Sequence, residues 1–147
     1  MASTILQPLA DLISTKIEAM STTVSVNAYS VDPGFAGLDS LPVAVIGLPQ
    51  IERTEPDEAE SQIGSFDYKL EYPVTFLFDL GDSATAQAQA LDTVEKFIAA
   101  IDAAQLSIAD PSIVDAKVVR SDPGEVVDSA RPMLSYSCTL RVLKLQS

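Results

Sequence analysis

Between Phe66 and Leu80, apolar and polar residues alternate. Phe66, Tyr68, Leu70, Tyr72, Val74, Phe76, Phe78 and Leu80 fill every second position, with Asp67, Lys69, Glu71, Pro73, Thr75 and Asp79 between them and Leu77 the single break. Successive side chains of a strand point to opposite faces, so the pattern predicts one long strand with one face buried. At about 3.3 Å per residue it would span roughly 50 Å. Such a strand is expected to outgrow the core of a monomer and to find cover in a bend, a loop or another subunit. Pro73 cannot donate a ladder hydrogen bond, which predicts a bulge or an edge position near the middle.

Other elements follow from the same reading. Ile5, Leu6, Leu9, Leu12, Ile13, Ile17 and Met20 recur at helical spacing, predicting a helix over 3–20 capped by Ser3 or Thr4, with Pro8 early in it. A strand is expected over 24–31, ending at Asp32-Pro33-Gly34, and a second, shorter one over 42–48. An acidic loop then leads to the long strand. Asp82 or Ser83 is placed to cap a helix reaching about residue 104, with an apolar face of Ala84, Ala88, Leu91, Val94, Ile98 and Ile101. Strands are predicted over 113–119 and 133–145, separated by a loop from Ser121-Asp122-Pro123-Gly124 to Pro132. The last strand alternates Leu134, Tyr136, Cys138, Leu140 and Val142, then shifts to Leu143 and Leu145 as a bulge would. The order α-β-β-β-α-β-β predicts an α+β two-layer sandwich, a mostly antiparallel sheet with helices on one face. At 147 residues the chain reads as a single domain, 1–147.

Charge changes the picture. There are 21 Asp and Glu against 9 Lys and Arg, and no histidine. Gripping nucleic-acid phosphates takes clustered Lys and Arg, which this chain lacks. Glu52, Glu55, Asp57, Glu58 and Glu60 lie close together, opposed only by Arg53, whereas from residue 129 onward the charged residues are Arg131, Arg141 and Lys144. A solvated acidic loop is one reading of this asymmetry. The sharper one is head-to-tail contact between identical subunits, with Arg131, Arg141 and Lys144 as candidate contact residues.

Without histidine, Ser-His-Asp, Cys-His and His-metal arrangements are excluded. Neither standard glycine-rich phosphate loop occurs. Cys138 reads as a small core residue rather than a nucleophile. The cluster Glu55, Asp57, Glu58 and Glu60 could offer oxygen ligands to a hard cation. It lacks the calcium-loop spacing with its central glycine, so it is taken as a solvated loop. Asp79 and Asp82 bracket Gly81, where helix capping accounts for Asp82. Tyr68, Tyr72 and Tyr136 read as core or interface rather than a base-stacking platform. The expectation is no enzyme, no cofactor and no metal. No apolar run reaches membrane-spanning length and no signal peptide precedes the first helix, so the chain is expected in the cytosol when made.

Three stretches together resemble the tail terminator proteins of long-tailed bacteriophages and of gene transfer agents. They are the opening helix from Ile5 to Met20 with its following strand and Pro-Gly turn, the block FDYKLEYPVTFLFDLGDSATAQAQALDTVEKFIAAID from Phe66 to Asp102, and the closing DAKVVRSDPGEVVDSARPMLSYSCTLRVLKL from Asp115 to Leu145. The resemblance rests on pattern over most of the chain, since no short motif is diagnostic of the family. It implies a structural virion protein at the head–tail junction, assembled in the host cytoplasm. Its subunits form a ring, usually of six, that caps the tail tube and docks on the head connector. Implied partners are other copies of the chain, the tail-tube protein and the head–tail connector protein, with DNA passing through the lumen unbound and no membrane contact. An acidic lumen would repel phosphates, so Glu52, Glu55, Asp57, Glu58 and Glu60, with Glu125 and Asp128, are candidates for loops facing a lumen or docking partner. The alternatives are a head-completion or connector protein or a tail-tube subunit of the same particle, and, from another class, a small acidic ligand-binding domain.

Overall fold

A computed structural model describes residues 5–22, 24–30, 41–53, 68–80, 83–101, 106, 110–126 and 132–145. In chain order its elements are α1 (Leu6–Glu18), β1 (Asn27–Tyr29), β2 (Val43–Ile46), β3 (Gln50–Arg53), β4 (Tyr68–Asp79), α2 (Ser83–Ala100), β5 (Ile113–Val126) and β6 (Met133–Lys144). The six strands form one sheet in the order β1-β2-β4-β6-β5, with β3 pairing β4 beside β2. Every pairing is antiparallel except β1 with β2. Both helices share one core with a single face of the sheet. This is the expected α+β two-layer sandwich, with one strand more than the alternation predicted.

β4 is the spine. Its inward residues Leu70, Tyr72, Val74, Phe76 and Phe78 are all buried, and only Tyr68 is partly open. The chain's own packing therefore covers the strand, and its length does not by itself call for a neighbour. α1 buries Leu9, Ala10, Ile13 and Ile17, with Leu6, Leu12 and Met20 packed at the margin of the core. Pro8 falls within the first turn, where an amide has no intrahelical acceptor to lose. The Tyr72 hydroxyl donates to the Leu6 carbonyl at 3.0 Å, tying α1 to β4, and burial pushes that phenol's pKa well above its ordinary value.

Pro73 is accommodated by a bulge, as its chemistry predicts. Ile46 faces Val74 and Gln50 faces Glu71, so three residues, Gly47 to Pro49, stand opposite two. The Gly47 amide donates to the Pro73 carbonyl at 2.8 Å. In an extended strand a residue's N–H and C=O point to the same edge, so the amide that proline lacks falls opposite this bulge. A Cβ on Gly47 would come within 2.8 Å of the Pro73 ring. Gly47→Ala is expected to cost about 1–3 kcal/mol through overpacking. A thermal melt superimposing on the wild type would show that the bulge opens freely.

Four elements differ from the sequence reading. β1 is three residues long rather than filling 24–31. β5 runs 14 residues straight through Asp122-Pro123-Gly124, where a loop was expected, because an edge strand paired on one side only can tolerate a proline. Its bulges lie near Val114 and Val119, and β6 itself pairs with β4 in unbroken register to Lys144. On α2 the buried line is Ala86, Ala90, Thr93, Val94, Phe97 and Ile101, whereas Leu91 and Ile98 are exposed. The helix is rotated relative to the expected face so that Phe97 enters the core and Ala86 and Ala90 let the helix lie close to the sheet.

Candidate subunit-contact surfaces

The face of the sheet opposite the helices is polar at the end where β3 lies. Lys69 stands 3.7 Å from Glu52 and 3.6 Å from Glu71. On β6, Arg141 Nη2 is 3.8 Å from Asp115, and its Nε is buried without a hydrogen-bond partner. Arg120 Nε lies 2.6 Å from Asp122. Pairs this exposed contribute about 0–1 kcal/mol each, so they order the surface more than they hold the fold. Toward the other end the same face turns apolar, where Val43, Leu77 and Met133 are buried with Tyr29, Leu41 and Val45 against them.

The residues expected to make contacts separate into four groups. Glu52 and Glu125 are exposed, but each lies on a strand, β3 and β5 respectively, and not in a loop. Arg141 sits on the open face, partly screened by Asp115. Lys144 needs correction: it is only 4% exposed and points into the helix-side layer. Its ammonium donates to Asp110 Oδ2 at 2.9 Å and to the Ser112 hydroxyl. The unbroken β6 register sends Lys144 inward and Leu143 outward, so this cation serves the fold. Glu55, Asp57, Glu58, Glu60, Asp128 and Arg131 lie outside the described residues.

Asp110, Pro111 and Ser112 form the turn that Lys144 closes. The Ser112 amide and hydroxyl both donate to Asp110 Oδ1, and the Leu145 amide donates to the Ser112 carbonyl at 2.8 Å. Partial burial alone would raise the Asp110 pKa. Hydrogen bonds from Ser112 and Lys144, with the Lys144 charge, outweigh it and hold the carboxyl below its ordinary range. Cys138 is buried and free, and burial pushes its thiol upward, which suits a core residue. Among the described residues, no group of three or more His, Cys, Asp or Glu is arranged to hold a metal ion, and no helix is long and apolar enough to cross a membrane.

The sheet edges are the features that composition did not reveal. β3 pairs only with β4 among the described strands, and all four of its residues are exposed. Among the described strands β5 pairs only with β6, and its residues Lys117, Val119 and Arg120 are exposed. Leu48 beside the Gly47 bulge is 91% exposed and Ile51 on β3 is 54% exposed. Part of the β5 edge is blunted by Pro123 and by the charges of Arg120 and Asp122. Gln50-Ile51-Glu52-Arg53 carries a single apolar residue, so no alternation marked it as a strand. The signal available was indirect: a strand as long as β4 needs a partner along its whole edge. Compared with protein-family models and with curated proteins, the chain finds no match.

Proposed function

We propose that this chain is the subunit of a structural ring that caps the end of a phage-type tail tube and joins it to the head connector. The observation that carries the reading is an open sheet in which, among the described strands, β3 and β5 each have a strand partner on one side only, an arrangement from which identical subunits can build a closed ring by heterologous contacts. The three-part sequence resemblance supports the choice of a tail terminator among ring proteins. The acidic balance of the chain, −12 overall, suits a conduit that phosphates pass through without sticking. The test is direct: purified protein is mixed with tail tubes lacking their terminal ring and imaged by negative-stain electron microscopy. The expected result is density at one end of each tube together with an arrest of further tube growth. Bare tube ends at saturating protein would overturn the proposal.

A further inference from the structure

β3 and the first part of β5 flank the same rungs of the sheet from opposite sides. Residues Tyr68 to Glu71 of β4 face Arg53 to Gln50 on one side and Lys144 to Arg141 on the other, and those β6 residues in turn face Ile113 to Lys117. Since β3 runs against β4 and β5 runs with it, β3 of a neighbouring copy lies antiparallel to β5 if the sheet simply continues from one copy to the next. The two bulges of β5, near Val114 and Val119, leave between them a regular run, Asp115 to Val118.

We propose that β3 of one copy adds to β5 of the next along Ala116–Val118, in the register that sets Glu52 opposite Lys117 and Ile51 opposite Val118. The contact rests on the ring reading above and specifies how the ring closes. Strand parity supports it. Glu52 and Lys117 both lie on the open face, and Ile51 and Val118 both lie on the helix side. The pairing therefore joins an acid to a base on one face and covers the exposed Ile51 with an apolar residue on the other. Continuing the rungs without offset would instead put Glu52 opposite Asp115, like against like. The favoured register is offset by two residues, about 7 Å, and a closed sheet requires some stagger of its strands. Pro123 and the Arg120–Asp122 pair then lie beyond the contact, where they block further strand addition.

Charge exchange tests the register. Glu52→Lys and Lys117→Glu, each at an exposed position, are expected to weaken association about tenfold or more at low salt while leaving the thermal melt of the subunit in place. The chain carrying both substitutions restores opposite charges and should recover to within about twofold of the wild type. A second readout is covalent: Ile51→Cys chains mixed with Val118→Cys chains should form a disulfide-linked dimer that neither forms alone, because directly opposed strand residues stand about 5 Å apart. If the wild type assembles while the single reversals have no effect, or the double reversal fails to rescue them, the β3–β5 pairing is wrong and the ring stands. A wild type that stays monomeric at every concentration and leaves tube ends bare overturns both.

Discussion

Phe76→Ala is expected to unfold this domain, or to leave it folded only in the cold. Phe76 is fully buried at the centre of β4, its ring meeting Phe97 of α2 edge-on at 5.0 Å and 68°. Truncation removes the Phe76–Phe97 contact between α2 and the sheet and leaves a cavity that two flanking strands cannot collapse into. Large-to-small changes of this kind cost about 3–5 kcal/mol, and the edge-on ring pair adds about 0.5–1.5 kcal/mol to what is lost. Total stabilities of such domains are about 5–15 kcal/mol. Leu91→Ala provides the contrast. Leu91 lies on the same helix but is 63% exposed, so its removal should change stability by about 0.5 kcal/mol or less. Urea denaturation of the two variants decides the orientation of α2. Equal losses would mean that the helix buries the other stripe.

The second large effect concerns Asp110 and Lys144, and it is asymmetric. Asp110→Ala strands an ammonium that is nearly sealed from solvent, an outcome that costs about 3 kcal/mol or more. Lys144→Met removes the charge while keeping the apolar stem; it leaves Asp110 partly exposed and still bonded to Ser112, so it should cost clearly less than Asp110→Ala. The pair also sets a pH dependence. The Asp110 carboxyl is held below its ordinary range in the folded chain, so its contribution is fully present above about pH 4 and is lost as pH falls below that value. The stability gap between the wild type and Asp110→Asn should therefore narrow on acidification. A gap constant from pH 6 down to pH 3 would show that the carboxylate contributes nothing specific.

Much of the fold was legible because its periods are clean. The alternation around Phe76 could only be a strand, and the Leu9-Ile13-Ile17 line could only be one face of a helix. Pro73 announced a bulge through the amide it lacks. Other features resisted for particular reasons. α2 offers two apolar stripes because alanine occupies both, and Val94 and Ile101 belong to each. The burial of Phe97 decides between them, and that depends on the sheet beneath. Gln50 to Arg53 become a strand through the needs of β4 rather than through their own pattern. The Asp122-Pro123-Gly124 turn signal is strong locally, yet pairing with β6 overrides it at an edge where proline costs little. Lys144 was assigned to the surface because cations usually lie there, whereas strict parity along β6 sends it inward to Asp110. The candidate contact surface was accordingly legible only in part. Charge asymmetry was visible, but the edge residues Ile51 and Lys117 acquire meaning only once the sheet order is known.

The mass of the protein in solution, measured by light scattering over a wide concentration range with and without tail tubes, tests the ring most directly. The account predicts a single closed species, of six subunits if the resemblance holds, that gains no further mass at higher concentration and shows a central hole in negative stain. A chain that remains monomeric throughout and is absent from tube ends, or one that grows into open-ended ladders of mixed size, would contradict it.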